Sequence, residues 1–250
     1  MSAGSRQRVA SVARALALLD EVARSDAGLG VNELARRIGV NASTASRLLA
    51  TLEEGGLVER SADGPYRLGL KLVALSDRVL GQLDVRERAR PWLTWLVEET
   101  GETATLSVPG GGEAITVDFV PSSSSVVSMA RVGRPSVAHA TAAGKVMLAF
   151  GARPIPDELI SFTERTITDP EALAVELEAV RASGIAEAVG EREPDLNALA
   201  APVIGRGGEL VAILGIQGPA ARLPASTRRA LHAPLSRAAS ELGRSLGGPG

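Results

Sequence analysis

The sequence predicts an α+β chain in two parts. Short helices closed by a hairpin come first; beyond a linker helix lies an antiparallel sheet flanked by helices. Three observations carry this. The apolar period is helical from residue 12 to residue 54 and then gives way to a short strand–turn–strand pattern. From Thr103 the period becomes two, in strand pairs joined by glycine-rich turns. Helical segments then interrupt and close that second part. At 250 residues, 45% apolar and 22% charged, the chain suits one large domain or two modest ones and can bury a core. Aromatics are only 2%, so that core is built from Ala, Val, Leu and Ile.

Val12, Leu16, Leu19 and Ala23 predict an amphipathic helix over 12–23 with that stripe inward. Asp26 to Gly30 breaks it. Leu34, Ala35 and Ile38 form the inner face of a second helix, 31–38, and Gly39 stands where a helix C-terminal glycine belongs. Asn41 is placed to cap a third helix, 42–54, which Gly55 and Gly56 stop. LVER (57–60) and YRLG (66–69) are short strands about a turn at 61–65. A linker helix follows at 70–82, then a helix at 86–99 holding Trp92, Trp95 and Leu96. Strands are expected at 103–108 and 113–120 around PGGG (109–112), and near 126–130. Helices are expected at 141–150 and 170–183, the second opened by Asp169 as cap and Pro170 at the first helical position. Strands at 199–205 and 210–217 flank GRGGE, and a helix at 225–246 closes the chain. PGGG and GRGGE each lie between strands, so they read as hairpin turns and not as phosphate cradles, which need a following helix N-terminus.

Residues 31–54 have the proportions of a helix-turn-helix, with a short turn at Gly39, Val40 and Asn41. On the third helix Ala45, Leu48, Leu49 and Leu52 make one apolar arc. The opposite arc holds Ser43, Ser46, Arg47 and Ala50, edged by Thr44 and Thr51. That face is small, polar and free of acids, as a helix laid in a major groove requires. Glu53 and Glu54 come only at its C-terminal end. The hairpin is then a wing, with Arg60 and Arg67 beside phosphates. A generic three-helix bundle with a polar outer face is the alternative.

Composition excludes several other functions. There are no cysteines, hence no disulfide, thiol nucleophile or Fe–S cluster. Two histidines, His139 and His232, cannot build a multi-histidine metal centre. No apolar run is long enough to span a membrane, and the N-terminus lacks the apolar segment of a secretory signal. A cytoplasmic protein with no cofactor is therefore expected. The net charge of −2 hides only a weak asymmetry, +2 over residues 1–83 and −4 over 84–250. Arginine outnumbers lysine 25 to 2, which reads as genomic base composition. His139 has no GxSxG-type nucleophile to serve and is expected to shape a pocket or a core. Lys145 is expected to pair locally, and His232 to be an ordinary surface or interface group.

Several segments resemble one family throughout. SVARALALLDEVA (11–23), VNELARRIGVNASTASRLLATLEEGGLVER (31–60) and YRLGLKL (66–72) resemble the N-terminal domain of the IclR family of bacterial transcriptional regulators. VRERARPWLTWLVEETGETATL (85–106), RVGRPSVAHATAAGKVMLAF (131–150), TITDPEALAVELEAVRASGIA (166–186), AAPV (200–203) and GPAARL (218–223) resemble its C-terminal domain, in order. The resemblance implies a winged helix-turn-helix over 1–69, a linker helix over 70–83, and a GAF-like effector-binding and oligomerisation domain over 84–250. It implies a non-enzymatic regulator, expected to be a repressor, that binds near-palindromic double-stranded operator DNA as a homodimer or homotetramer and senses a small organic acid.

The resemblance also places candidate residues. Asn41, Ser43, Thr44, Ser46, Arg47, Arg60 and Arg67 would face DNA. Val127 and Met129, His139, and Ala142 and Ala143 would line the effector site, the last two offering backbone N–H groups to a carboxylate. Ala188, Ala198 and Gly215 stand where relatives carry an aspartate, a cysteine and a serine, and Gln217 where they carry a second serine. Loss of these polar groups implies a larger, less polar cavity and so an aromatic or acyl acid. Two rivals stay open: an enzyme acting on a small organic acid with an appended DNA-binding domain, and an interaction module with a degenerate helix-turn-helix.

Overall fold

The structure is a computed structural model that describes residues 9–61, 64–81, 84–125, 130–151 and 154–248. The chain divides into two compact units after residue 82.

In the first unit, α1 (Ala10–Ala23), α2 (Val31–Arg37) and α3 (Ala42–Glu54) are followed by the hairpin β1 (Val58–Arg60) and β2 (Tyr66–Leu68), then α4 (Lys71–Gly81). Gly39 ends α2 at φ +68°, the left-handed turn that glycine adopts without strain. The Asn41 side chain accepts the Thr44 N–H at 2.8 Å and so fixes the start of α3. Leu18, Val22, Leu34, Leu49, Leu52, Val58 and Tyr66 form the core. Leu29 exchanges backbone hydrogen bonds with Tyr66, adding a third rung-bearing segment to the hairpin.

One expectation fails here. The inner face of α1 is Ala15, Leu18, Leu19 and Val22, while Val12, Leu16 and Ala23 are exposed. The helix carries two apolar stripes, and spacing alone does not say which one the core takes.

In the second unit, α5 (Asp84–Thr100) leads into β3 (Thr103–Gly110) and β4 (Glu113–Val120). After α6 (Ala142–Phe150) and α7 (Pro170–Ser183) come β5 (Ala186–Val189), β6 (Leu196–Ile204), β7 (Leu210–Pro219) and α8 (Ala225–Ser245). The strands form one antiparallel sheet in the order β4-β3-β7-β6-β5. Asp169 accepts the Glu171 N–H ahead of Pro170, and Gly184 closes α7 at φ +71°. The turn of the β3–β4 hairpin narrows to Gly111 and Gly112, both at positive φ, because pairing continues through Pro109 and Gly110. The core between sheet and helices is aliphatic: Val146, Leu148, Leu173, Leu177, Ala200 and Ile213 are among its members.

Strand β5 has no counterpart among the expected elements. Its four residues, AEAV, contain one β-branched side chain and too few positions to show a period. Strand β6 begins three residues earlier than expected. Pro202 is accommodated within it because β5 pairs only with Asn197–Ala200, so no β5 partner waits at Pro202 for an N–H it lacks. The strand expected near 126–130 falls on residues 126–129, outside the described residues.

Candidate functional site

Helix α3 buries Ala45, Leu49 and Leu52 and half-buries Leu48, so Ser43, Ser46, Arg47, Ala50 and Thr51 are left exposed on the far side. Thr44 is half-buried at the edge of that face. The Asn41 carboxamide oxygen accepts from both the Thr44 N–H and the Ser43 hydroxyl, the latter at 2.9 Å. The cap therefore occupies the acceptor oxygen of Asn41 and the proton of Ser43. On the hairpin, Arg60 donates to the Gly64 carbonyl and lies 5.7 Å from the Tyr66 ring centre, while Arg67 is exposed. On α2 the Glu33 carboxylate accepts from both Arg36 and Arg37, which hold its pKa down to about 2.

The second unit contains a cavity of about 650 Å³, within the range of small-molecule sites. Strand alternation builds its floor. Thr105 and Ser107 on β3, Ala198 and Ala200 on β6, and Gly215 and Gln217 on β7 are pairs two residues apart and so share one face. The ladder register sets Thr105 opposite Gly215, Gly215 opposite Ala200, and Gln217 opposite Ala198. Thr116 on β4 extends the row of hydroxyls beside Ser107. The start of α6 and two loops, 130–137 and 192–196, complete the wall.

The start of α6 is built by Thr141. Its hydroxyl accepts the Gly144 N–H and donates to the Val137 carbonyl at 2.8 Å, while the Lys145 N–H bonds the Thr141 carbonyl. The Ala142 and Ala143 N–H groups are the first of the helix and have no partner among the described residues. Both residues line the cavity.

The loops bring arginines. Residues 131–136 are tied along β4 by the Gly133 N–H to the Thr116 carbonyl at 2.7 Å and by the Ser136 N–H to the Ala114 carbonyl at 2.8 Å. Arg131 and Arg134 thus reach the cavity from one side. Arg192 reaches it from the loop before β6, its guanidinium 4.3 Å from the centre of the Phe162 ring. Burial and the nearby charge of Arg134 lower the Arg192 pKa, against the opposing charge of Glu193. Donors of three kinds — hydroxyl, helix-start amide and guanidinium — surround the space, which suits an anionic ligand.

Five of the sequence-predicted effector residues come together on this cavity: Ala142, Ala143, Ala198, Gly215 and Gln217. Val127 and Met129 lie outside the described residues. His139 and Ala188 do not line it. His139 is buried behind the wall, its Nε2–H donating to the Ile160 carbonyl at 2.8 Å, with Phe162 at 6.0 Å. Ala188 stands on the edge strand β5 directly opposite Ala198, one strand beyond the cavity floor, and is packed in the core. Gly215 does not enlarge the cavity as its small size suggested. A Cβ there would stand 2.5 Å from the Thr105 hydroxyl oxygen, so Thr105 already fills that space. Sequence reasoning missed Thr105, Ser107, Thr116 and all three arginines. The alternation of Thr105 and Ser107 on an expected strand was a usable signal. The arginines carried none, being set in aperiodic loops, Arg131 and Arg134 in one and Arg192 among acids in another.

Lys145 is 1% exposed and binds no ligand from where it sits. Its Nζ donates to Glu176 at 3.0 Å, Glu191 at 2.8 Å and the Glu187 carbonyl at 2.8 Å, joining α6 to α7 and to the turn after β5. His232 meets the Glu187 carboxylate at 2.7 Å, beside Arg228. No group of three or more His, Cys, Asp or Glu among the described residues could hold a metal ion. No helix among them is long and apolar enough to cross a membrane.

A winged helix-turn-helix in one unit and a small-molecule cavity in the other define a ligand-responsive DNA-binding regulator. The chain belongs to the IclR family of bacterial transcriptional regulators. Residues 11–62 match the IclR helix-turn-helix domain and residues 77–244 the bacterial transcriptional regulator IclR C-terminal domain. It is 31% identical over 248 residues to the HTH-type transcriptional regulator XynR of Escherichia coli (strain K12), covering 96% of this chain and 98% of that one. The Thermotoga maritima IclR structure matches with a TM-score of 0.67 and 30% identity, over 95% of this chain and 98% of that one. An IclR homolog from Microbacterium hydrocarbonoxydans, solved in complex with 4-hydroxybenzoate, matches with a TM-score of 0.74 and 26% identity, over 95% and 99%. The named relatives are transcriptional regulators, which leaves the enzyme rival without support.

Proposed function

We propose that the chain represses transcription from a near-palindromic operator and releases or rebinds that DNA when a small organic acid enters the 650 Å³ cavity. Residues 1–69 carry DNA binding, 70–83 the link, and 84–250 effector binding and oligomerisation. Ser43, Ser46 and Arg47 read the groove, with Thr44 at its edge and Asn41 holding the helix start; Arg60 and Arg67 reach phosphates. The acid's carboxylate sits on the Ala142 and Ala143 amides, and its body lies over Ala198, Ala200 and Gly215, with Gln217 within the lining. The observation that supports this most directly is a pair of unpartnered helix-start amides opening on a cavity floored by Thr105, Ser107 and Thr116. The cavity size and the 4-hydroxybenzoate held by the Microbacterium homolog support a ring-bearing acid.

A homodimer, or a homotetramer built from it, is part of the same reading. Val9, Val12 and Leu16 on or beside α1, and Leu70, Val73 and Leu75 on or beside α4, are exposed apolar side chains that a second copy would cover. Two reading helices then meet the two half-sites of a palindrome. Such work on DNA belongs in the cytoplasm. Calorimetry with glyoxylate, pyruvate, benzoate and 4-hydroxybenzoate tests the ligand class. The aromatic acids should bind more tightly; tighter binding of glyoxylate would overturn the preference.

A further inference from the structure

Arg134 and Arg192 form a charge pair that the organic-acid reading does not use. They come from unconnected places: Arg134 from the loop tied along β4, at one edge of the sheet, and Arg192 from the loop that leads into β6 on the other side. Both line the same cavity, and they are close enough for the charge of one to disfavour the charge of the other. Arg192 is half-buried and its guanidinium carbon lies over the Phe162 ring, 4.3 Å from its centre. Phe162 in turn stands beside His139, whose bond to the Ile160 carbonyl fixes the backbone two residues away. Neither arginine has a carboxylate within salt-bridge reach among the described residues, although Glu193 and Asp195 share the rim and Glu193 partly offsets Arg192. Arg134 is exposed, held to the loop through its backbone. Two like charges facing one space are unfavourable when it is empty of anions and favourable when an anion lies between them.

We propose that Arg134 and Arg192 make a second anion subsite, so that the ligand of this cavity is a diacid whose second carboxylate lies between the two guanidiniums. The inference rests on the reading above, in which the first carboxylate takes the Ala142 and Ala143 amides. Those amides and the three floor hydroxyls account for one charged group and its body; they leave the arginine pair unmatched. Arg131, exposed on the same loop, adds positive potential at the entrance. Guanidinium forks bind a carboxylate in two-point geometry, which gives the second subsite directional as well as electrostatic selectivity.

Calorimetry on the full chain tests this with matched pairs: benzoate against isophthalate, and hexanoate against adipate. Wild type should bind the better-fitting diacid roughly tenfold or more tightly than its monoacid. In Arg134→Gln and in Arg192→Gln the ratio of diacid to monoacid affinity should fall toward one, with thermal melting used to confirm folded protein. Equal affinity of wild type for monoacid and diacid would overturn the second subsite and leave the organic-acid reading standing. A diacid preference that survives in both variants would overturn the assignment to these arginines. Binding of none of the four acids would overturn the organic-acid reading and this inference with it.

Discussion

Thr105 and Gly215 face each other across the β3–β7 ladder, and the threonine hydroxyl occupies the position a Gly215 Cβ would need, 2.5 Å away. The pair is therefore a packing unit within the cavity floor. Gly215→Ala should destabilise the chain by about 1–3 kcal/mol, since Thr105 must leave its rotamer or the strands must part. Thr105→Ala alone should be milder, and adding it to Gly215→Ala should restore most of the loss. Urea denaturation of the four proteins closes a double-mutant cycle. Additive losses would show that the two side chains do not compete for one space.

Lys145 should be the costliest single charge to remove from the second unit. It is 1% exposed and holds two carboxylates, one of them, Glu191, itself buried. Lys145→Met leaves Glu191 without its cation, which in buried pairs costs about 3–5 kcal/mol. Pairing it with Glu191→Gln should recover a large part. Thermal melts that place the single variant within a degree of wild type would contradict this.

Glu187 makes stability depend on acid. Burial opposes its charge, but hydrogen bonds from Arg228 and His232 outweigh burial and hold its carboxyl below the ordinary value of 4.5. A carboxyl lowered in the folded state contributes stability that is present above the unfolded value and is lost as pH falls through the folded one. Denaturation midpoints followed from about pH 7 to about pH 3 should therefore fall less steeply for Glu187→Gln than for wild type. Parallel curves would mean that the cluster adds nothing to acid sensitivity.

Arg47 is the one cation on the exposed arc of α3, and its guanidinium has no hydrogen-bond or ion-pair partner among the described residues; its neighbours Ser43 and Ser46 are small. Arg47→Ala should weaken binding to the gene's own upstream DNA by about 1–3 kcal/mol. Gel-shift titration measures it, with circular dichroism to check the fold. Affinity should also fall steeply with salt as counterions are released.

Elements with punctuation were legible in the sequence. Gly39, Asn41, Gly55 and the Asp169-Pro170 pair bound α2, α3 and α7 to within a residue, because caps act locally. What needed the fold to decide was missed. The choice between the two apolar stripes of α1 depends on which one meets α3 and β2. Strand β5 exists through its pairing with β6, not through its own composition. In the cavity, the residues found lie on regular elements, where register can be carried along the chain: Ala142, Ala143, Ala198, Gly215 and Gln217. Arg134 and Arg192 are brought together only by tertiary structure. Ala188 shares the face of Ala198 but lies one strand further out, where the core covers it, and His139 sits behind the cavity wall; which strands and loops border the cavity is settled by tertiary structure.

On the function proposed above, one chain couples acid binding in its second unit to DNA binding in its first. Fluorescence anisotropy of labelled upstream DNA, titrated with the full chain in the absence and presence of a saturating acid that calorimetry shows to bind, measures this coupling directly. At least two protomers should bind per DNA site, and affinity should change by about fivefold or more when the acid is present. An acid that binds the chain yet leaves the DNA titration unmoved, or a monomer that binds the DNA one-to-one, would contradict that function.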